Sequence, residues 1–415
     1  MTTSTHAAGV LSFADARHLV ERLAASVSAP DREPLELPDC GARVLAETVY
    51  ADRNFPPFRR AMRDGYAVRS ADVQSVPRRL RFTGEIRAGG GGHFSLSEGE
   101  AAEIMTGAPA PDGADAVVMV EYTARQGDEV EVQRSIGPGE NIVPTGSEAR
   151  RGDLLLCSGT RLTPAALSLA ASVGKTHLGV YRRPRVAILS TGDELVDIAA
   201  EPAPHQIRNS NSYSLAAQVE RAGGIPAILP IAPDELTELR QLVEEGLRAD
   251  LLLLSGGVSM GKYDLVEQVL GELGAEFFFT GALIQPGKPI VFGRAPQQKG
   301  AAPTFFFGLP GNPVSTMVTF ELFASAMLDA LSGAAPRKLV FPRARLKSEV
   351  KVRPGLTRFL PALLAGEFDR PEVEMVRWQG SGDMASTAAA NCLLVVPAER
   401  EKLEAGEWIS VFLLP

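Results

Sequence analysis

A group of glycine and hydroxyl residues follows a short apolar stretch near the middle of the chain. Residues 251–254 are four leucines, and such a continuous apolar run is typical of a strand buried in a parallel sheet. Residues 255–259 then read Ser-Gly-Gly-Val-Ser, where two glycines let backbone N–H groups approach an anion and two hydroxyls add donors. Asp264 follows where a helix should begin. Phosphate donors beside a carboxylate predict a phosphorylated ligand held with a hard cation, although a tight turn capped by Asp264 would show the same pattern.

Two other strand-to-helix junctions carry polar residues of the same kind. Residues 188–195 place Asp193 and Glu194 directly after an apolar run, an arrangement that also suits a helix cap. Residues 307–315 read Phe-Gly-Leu-Pro-Gly-Asn-Pro-Val-Ser, where two prolines stiffen the backbone around Gly-Asn and Asn312 can cap the next helix. A rigid connection and nothing more would look the same. Parallel strands in such a series end on one edge of their sheet, so we expect the three junctions to meet at one ligand site.

Three further segments place single polar residues beside glycine or proline. Lys288, in Gln-Pro-Gly-Lys-Pro at residues 285–289, is a candidate phosphate or oxyanion ligand, although a lone lysine is more often a solvated surface residue. Asp64 lies in a predicted Asp-Gly turn and Thr106 precedes a glycine, and each taken singly is more typical of a plain turn. The sequence contains neither a Walker motif nor a Gly-x-Gly-x-x-Gly after a strand, which argues against an ordinary NTPase or a Rossmann dehydrogenase.

Composition restricts the classes of protein to consider. A chain of 415 residues predicts two to four domains, and a hydrophobic fraction of 45% allows well-packed cores. The net charge of -8 argues against a general nucleic-acid or anionic-membrane surface. Scattered cysteines and histidines suit neither a disulfide framework nor a zinc site, so a catalytic metal should have oxygen ligands, which favours Mg²⁺. The sequence shows neither a signal sequence nor an apolar run that could cross a bilayer, and we expect a cytoplasmic protein.

The order of the predicted elements indicates a multidomain fold of an α/β domain plus β-rich domains. Apolar spacing predicts helices over residues 12–25 and 163–173, and four glycines at residues 89–92 predict a mobile loop. Alternating strands and helices from residue 185 onward predict a central doubly wound α/β domain. An inserted β-rich domain precedes it, and a small C-terminal β-barrel-like domain follows it. The predicted bounds are residues 1–48 with 140–180 (helical, linking), 49–139 (inserted), 181–333 (α/β) and 334–415 (C-terminal).

Taken together and in order, these segments resemble the molybdopterin molybdenumtransferase family, which includes bacterial MoeA and the E domain of gephyrin. The resemblance spans nearly the whole chain, and the ordered set of motifs is far more specific than any one of them. The segments are Pro-Pro-Phe at 56–58, Met-Arg-Asp-Gly-Tyr-Ala-Val at 62–68, Ile-Met-Thr-Gly-Ala-Pro at 104–109, Gly-Ala-Asp-Ala-Val-Val at 113–118, Ser-Thr-Gly-Asp-Glu-Leu at 190–195, Asn-Ser-Asn-Ser at 209–212, the loops at 255–259, 286–289 and 309–313, Gln-Gly-Ser-Gly at 379–382 and Ala-Asn at 390–391.

The resemblance implies an elongated homodimer of four-domain subunits that inserts molybdate into adenylylated molybdopterin, with Mg²⁺ required and AMP released. It implies catalytic roles for Asp64, Thr106, Glu194 and Asp264, of which Glu194 and Asp264 serve the metal or nucleotide side. Asp64 and Thr106 would reach the cleft from the inserted domain of the other subunit. Partners other than the pterin nucleotide, molybdate and a second subunit are not implied, neither nucleic acid nor membrane. The implied substrate-binding residues are Asp193, Ser255, Gly256, Gly257, Ser259, Lys288, Pro310, Gly311, Asn312, Pro313, Ser315, Arg358, Ser381 and Ser386.

The chain departs from the family pattern mainly at basic positions. Where an arginine of the family is replaced, we expect weaker binding of oxyanions, or a transfer of oxyanion binding to Arg358 and Lys288. The departures are Ala61 (a serine in the family), Val143 with Pro144 (an arginine pair), Glu148 (an aspartate), and Leu356 and Pro361 (arginines).

Two other functions stay open from the sequence. An adenylyltransferase acting on molybdopterin would share an α/β domain like residues 185–330, although the flanking domains argue against it. A non-catalytic dimeric scaffold would keep the fold. The changed basic positions favour that scaffold, whereas the retained Asp64, Thr106, Glu194 and Asp264 count against it.

Overall fold

The computed structural model describes residues 9–89, 94–257, 265–296 and 302–414. Asp264, Ser259 and most of the predicted glycine loop at residues 89–92 lie outside the described residues.

The described helices are α1 (Phe13–Ala24), α2 (Pro164–Ser172), α3 (Asn211–Arg221), α4 (Leu236–Gly246), α5 (Leu265–Glu272), α6 (Pro313–Thr319), α7 (Ser325–Leu331) and α8 (Met384–Ala388). The described strands are β1 (Val10–Leu11), β2 (Arg32–Glu36), β3 (Val49–Tyr50), β4 (Arg60–Ala61), β5 (Gly65–Val68), β6 (Arg78–Ile86), β7 (Glu100–Ile104), β8 (Ala116–Met119), β9 (Thr123–Gln126), β10 (Glu129–Val132), β11 (Ile142–Val143), β12 (Leu154–Leu156), β13 (His177–Tyr181), β14 (Arg185–Ser190), β15 (Leu195–Val196), β16 (Ile207–Arg208), β17 (Ile225–Ile228), β18 (Leu251–Ser255), β19 (Glu276–Phe279), β20 (Gly281–Ala282), β21 (Ile284–Gln285), β22 (Val291–Ala295), β23 (Thr304–Leu309), β24 (Arg343–Leu346), β25 (Val350–Lys351), β26 (Thr357–Ala365), β27 (Glu372–Met375), β28 (Cys392–Val396), β29 (Lys402–Leu403) and β30 (Trp408–Leu413).

The linking region is built from two separated parts of the chain that pair with each other. β2 runs antiparallel to β13, and β3 runs antiparallel to β12. The predicted helix over residues 163–173 is confirmed as α2, which Pro164 opens and whose first turn is capped by the hydroxyl of Thr163 accepting from the N–H of Ala166. The region is therefore mainly paired strands with a short helix packed on them, rather than a helical domain.

The inserted region forms a six-stranded sheet in the order β8-β5-β7-β6-β10-β9. Successive residues of a strand point to opposite faces, so Ala67 packs in the core on one side of the sheet and Val68 in the core on the other. β5 and β7 are antiparallel, with Gly65 opposite Ile104. This register places the turn before β5 beside the loop that follows β7.

The central region is a six-stranded sheet in the order β17-β14-β18-β23-β22-β19, with helices on both faces. The first four strands are parallel, as the alternation of strands and helices predicts. β22 and β19 add an antiparallel edge, because β22 enters β23 without an intervening described helix. One face packs under α3, α6 and α7, and the other under α4 and α5.

The long helix that ends the α/β region also receives the N-terminal helix. A π-helical turn (Phe320–Ala324) joins α6 to α7, so the helical run extends over Pro313–Leu331. This run is long and apolar enough to cross a membrane by length and composition, but most of it is buried in the core of the protein. The apolar face of α1 packs in that core through Ala16 and Val20, and Arg17 donates to the carbonyl of Leu322 in the π turn. α1 was predicted in the linking domain, and its packing instead joins it to the α/β core.

The C-terminal region closes into a small barrel. Its strands pair in the order β26-β27-β24-β30-β28, and β28 pairs back with β26, so that five strands surround an apolar interior. β21 leaves the α/β region and runs parallel to β26, which joins the barrel to the central sheet. The multidomain fold predicted from the sequence is confirmed, while its domain bounds stay a prediction.

Candidate functional site

A cleft lies at the carboxyl ends of β14, β18 and β23. The last residues of these strands, Ser190, Ser255 and Leu309, stand side by side in the register of the sheet. The connections that leave all three strands therefore start at one edge and enclose a cleft of ≈ 740 Å³. Of the predicted site residues, those that line it are Glu194, Ser255, Gly256, Gly257, Pro310, Gly311 and Asn312.

The turn after β18 is packed tightly against the connection after β14. Gly256 and Gly257 both adopt left-handed backbone conformations, with φ of 89° and 62°. A Cβ at Gly256 would lie 2.5 Å from the carbonyl oxygen of Thr191, and a Cβ at Gly257 would lie 2.6 Å from the Thr191 hydroxyl. Only glycine suits both positions, because both φ and space exclude a side chain.

The connection after β23 leads directly into α6. Pro313 occupies the first turn of α6, as predicted. Asn312 holds the N-cap position, but within the described residues its side chain makes no capping hydrogen bond, so the predicted side-chain cap is wrong. Thr316 instead ties the loop down, donating from its hydroxyl to the carbonyl of Pro310. Ser315 is buried in α6 and is not among the described residues that line the cleft, although it was predicted to bind substrate.

Two carboxylates stand at one end of the cleft, and sequence reasoning found one of them. Glu194 and Asp234 line the cleft, while Asp193 lies behind and accepts from the backbone N–H of Asp234 at 3.0 Å. Burial raises the pKa of Asp234, and the negative charges of Asp193 and Glu194 raise it further. Asp234 was missed because its surroundings lack the Gly-Ser density of the other junctions. It follows β17, the fourth parallel strand, so the rule that ligands bind at strand carboxyl ends would have found it.

The rest of the cleft wall combines apolar residues with two polar groups. Leu195, Ile207 and Leu239 provide apolar surface. Asn211, at the start of α3, lies close to two of the three connections, and Thr191 lies under the glycine turn. The Asn-Ser-Asn-Ser pattern at 209–212 marked Asn211 as part of a family motif, but it did not indicate what the side chain of Asn211 does.

The two basic residues expected to bind an oxyanion differ in their surroundings. Arg358 is buried, and its guanidinium donates to Oε1 of Gln285 at 2.7 Å and to the carbonyl of Leu356 at 3.1 Å. Burial lowers the pKa of Arg358. Lys288 is exposed, and its neighbour Pro289 lines the cleft. Lys288 is therefore the more accessible of the two cations, and it is the one whose neighbour lines the cleft.

Ser381 and Ser386 lie in the barrel region, beside the cleft but in a separate open cavity. They line a cavity of ≈ 830 Å³ together with Gln379 and Asp383. The carbonyl of Ser381 accepts from the N–H of Val314 at 3.1 Å, which anchors this loop to the start of α6. The hydroxyl of Ser386 donates to Oδ2 of Asp383 at 2.7 Å, and this bond lowers the pKa of Asp383.

Asp64 and Thr106 contact each other, although they were predicted from two independent turns. Oδ1 of Asp64 accepts from the backbone N–H of Thr106 at 2.6 Å and from its hydroxyl at 2.7 Å. These bonds, the backbone one first, lower the pKa of Asp64, which is fully exposed. The described residues that line the cleft include neither of them.

Comparison with known proteins identifies each part of this architecture. Three family models match: "MoeA N-terminal region (domain I and II)" over residues 11–174, "Probable molybdopterin binding domain" over residues 187–330, and "MoeA C-terminal region (domain IV)" over residues 343–414. The cleft lies in the segment matched by the second model. The fold and site thus define a multidomain protein built around an α/β domain of the molybdopterin-binding type.

Curated relatives and solved structures agree along nearly the whole chain. The molybdopterin molybdenumtransferases of a Nostoc species and of Bacillus subtilis are 34% and 33% identical, over 94% and 92% of this chain and 90% of each relative. The crystal structure of the molybdopterin biosynthesis MoeA protein of Pyrococcus horikoshii matches 98% of this chain and 100% of its own, with TM-score 0.75 and 28% identity. The chain belongs to the MoeA family.

Proposed function

We propose that this protein inserts molybdenum from molybdate into adenylylated molybdopterin and releases AMP. The observation that carries the proposal is the cleft itself, where the Ser255–Gly257 turn faces two carboxylates across the ends of parallel strands. Backbone and hydroxyl donors of this kind suit a phosphate linkage. The names of the curated relatives support molybdopterin and molybdenum as substrates. A cytoplasmic location stays a prediction.

The acidic end of the cleft fits Mg²⁺. Mg²⁺ is typically held by one or two carboxylates together with waters and substrate phosphates. Glu194 and Asp234 supply two carboxylates. Burial first and then the charges of Asp193 and Glu194 raise the pKa of Asp234, and a bound cation would offset this repulsion. The described residues contain no cluster of three or more acidic, histidine or cysteine ligands, so substrate oxygens would have to complete the coordination. Bound there, Mg²⁺ would neutralise charge on the phosphoryl oxygens as the AMP bond breaks.

Three sets of protein groups would make the remaining contacts with the substrate. The N–H of Gly257 would hold the phosphate linkage, while the N–H of Gly256 donates to the carbonyl of Leu309, and the packing of the turn on Thr191 fixes its direction. The apolar side chains of Leu195, Ile207 and Leu239 would cover a flat ring of the substrate and exclude water from it. Lys288, which is exposed beside the cleft-lining Pro289, and Ser381, in the separate cavity, remain proposed substrate contacts.

Replacing Glu194 with glutamine tests the proposed function at the cation site. We expect AMP release to fall about 100-fold or more, because the change removes one of two anionic ligands without changing shape. The measurement is chromatographic detection of AMP after mixing enzyme with adenylylated molybdopterin, molybdate and Mg²⁺. Glu201→Gln is the matched control, because Glu201 is exposed on the same connection, and it should retain normal turnover. Wild-type protein that releases no AMP from active substrate would refute the function, and normal turnover by Glu194→Gln would refute the cation site.

Asp64 and Thr106 are proposed to complete the cleft of a second subunit in a homodimer. The pair is fully ordered by its own hydrogen bonds yet does not line the cleft of its own chain within the described residues. An exposed carboxylate with a lowered pKa is charged at neutral pH and available to a partner.

Mixing two inactive variants measures this arrangement. Asp64→Asn and Glu194→Gln should each lack AMP release, whereas a one-to-one mixture refolded or co-expressed together should recover about a quarter of wild-type activity. Half of the random dimers pair the two variants, and each such dimer regains one complete cleft. A mixture that stays inactive while forming mixed dimers would place both residues in the same subunit's site.

A further inference from the structure

Asn211 connects two of the three loops that form the cleft. Its Nδ2 lies 2.7 Å from Oγ of Ser255 and 2.8 Å from the carbonyl oxygen of Gly311. A backbone carbonyl can only accept, so the amide nitrogen must point toward Gly311, and the orientation of the side chain follows from the geometry. One side chain on α3 thus joins the loop after β18 to the loop after β23.

A buried polar network holds Asn211 in place. Asn209, Ser190 and Ser212 are almost fully buried, and the Ser190 hydroxyl lies 2.9 Å from that of Ser212. Oδ1 of Asn209 accepts from the Ser190 hydroxyl at 3.1 Å and from the backbone N–H of Ser212 at 3.2 Å. These bonds fasten the first turn of α3 to the end of β14. Asn211 therefore ties the other two loops to the third connection, and all three keep a fixed spacing.

Two buried polar atoms around the glycine turn have no partner within the described part of the chain. They are Oδ1 of Asn211 and Oγ1 of Thr191, which lie on the Ser255 side and the Gly257 side of the turn. A buried polar atom without a hydrogen bond lowers stability. Both residues line the cleft, so a bound substrate can supply the missing hydrogen bonds.

We propose that Asn211 is a positioning residue for the reaction. Its amide N–H groups hold the phosphate-binding turn and the Pro310–Asn312 loop at the spacing that the substrate requires. Its carbonyl oxygen, which has no partner within the described residues, accepts from an N–H or O–H of the seated pterin nucleotide. This role rests on the proposed function, since the two loops are assigned to the same substrate there. The clamp itself is a property of the folded protein and can be measured without substrate.

The experiment compares Asn211→Ala and Asn211→Asp with the control Ser210→Ala. Ser210 is the neighbouring residue at the start of α3, and its side chain makes no capping hydrogen bond within the described residues. Asn211→Asp keeps the shape but replaces the N–H donor with an acceptor facing the carbonyl of Gly311. For both Asn211 variants we expect kcat for AMP release to fall about 10- to 100-fold, with KM raised less than tenfold, because loop misplacement acts mainly on the reacting geometry. Ser210→Ala should behave as wild type.

Native-state hydrogen exchange gives the second measurement. The N–H of Gly256 donates to the carbonyl of Leu309 across the same two loops, and its exchange should quicken about tenfold or more in the Asn211 variants, with an unchanged thermal midpoint. Unchanged exchange would overturn the clamp, and normal kcat with faster exchange would overturn its role in the reaction. If wild-type protein releases no AMP, the proposed function fails, while the exchange result still decides whether Asn211 joins the loops.

Discussion

Gly256→Ala is expected to lose nearly all AMP release and to lower the stability of the α/β region by about 2–4 kcal/mol. Gly256 has φ of 89°, a conformation in which an L side chain is strained. The new Cβ would lie 2.5 Å from the carbonyl oxygen of Thr191, and a backbone atom cannot rotate away as a side chain can. Relief requires the turn after β18 to move away from the connection after β14, which displaces the donors that face the substrate.

Calorimetry and AMP release measure the two parts of this expectation. Gly271→Ala is the control, because Gly271 lies within α5, has an ordinary φ and would place its Cβ in open space. That change should raise stability by about 0.5–1 kcal/mol, the usual gain when alanine replaces glycine inside a helix. Gly256→Ala protein with a wild-type transition and wild-type turnover would show that the turn is free to shift, contrary to the packing.

Asp329→Ala is expected to destabilise the protein by about 3 kcal/mol, the largest loss of stability foreseen for a residue outside the cleft. Asp329 is buried in α7, where it accepts from Arg161 at 2.9 Å and from Arg337 at 2.6 Å. Arg161 belongs to the linking region and Arg337 to the connection into the barrel. Removal of the carboxylate leaves Arg161, whose side chain is 27% exposed, without its anion at the junction of three regions.

A control variant at an exposed ion pair tests whether burial is what makes the ion pairs of Asp329 stabilising. Asp31 is 94% exposed and lies 3.8 Å from Arg182, so Asp31→Ala should change stability by less than about 0.5 kcal/mol. Both variants can be compared by the midpoint of thermal unfolding and by limited proteolysis after residue 331. Equal effects of the two changes would mean that burial of the Asp329 ion pairs contributes nothing to the free energy of unfolding.

The convergence of the three strand-end junctions was predictable because it follows from topology. Parallel strands share one edge, so the polar residues that follow them at Glu194, Ser255 and Asn312 were expected to meet, although each junction alone was weak evidence. Asp234 stands at the same edge without a distinctive local motif, and only the fourth strand of the sheet places it there. Local sequence patterns thus identified the loops, whereas Asp234 could be identified only from the position of its strand in the assembled sheet.

Contacts between distant residues could not be predicted from the sequence. Asp64 and Thr106 are 42 residues apart and meet because β5 and β7 are antiparallel neighbours in a sheet whose order is not sequential. Arg358 was expected to bind an oxyanion, but its guanidinium donates to Gln285, which lies 73 residues earlier on the strand that joins the barrel. Side-chain contacts of this kind depend on which strands become neighbours in the folded protein, which local motifs do not indicate.

The packing of α1 in the α/β core makes the linking and inserted regions an insertion within that core. The chain leaves the core just before β2 and returns just after β13, and these strands pair with Arg32 opposite Tyr181. The two chain segments that connect the core with the insertion, β2 and β13, are therefore neighbouring strands of one hydrogen-bonded ribbon. The inserted sheet, and Asp64 with it, is thus held to the α/β core partly through a pair of hydrogen-bonded strands rather than through one strand alone.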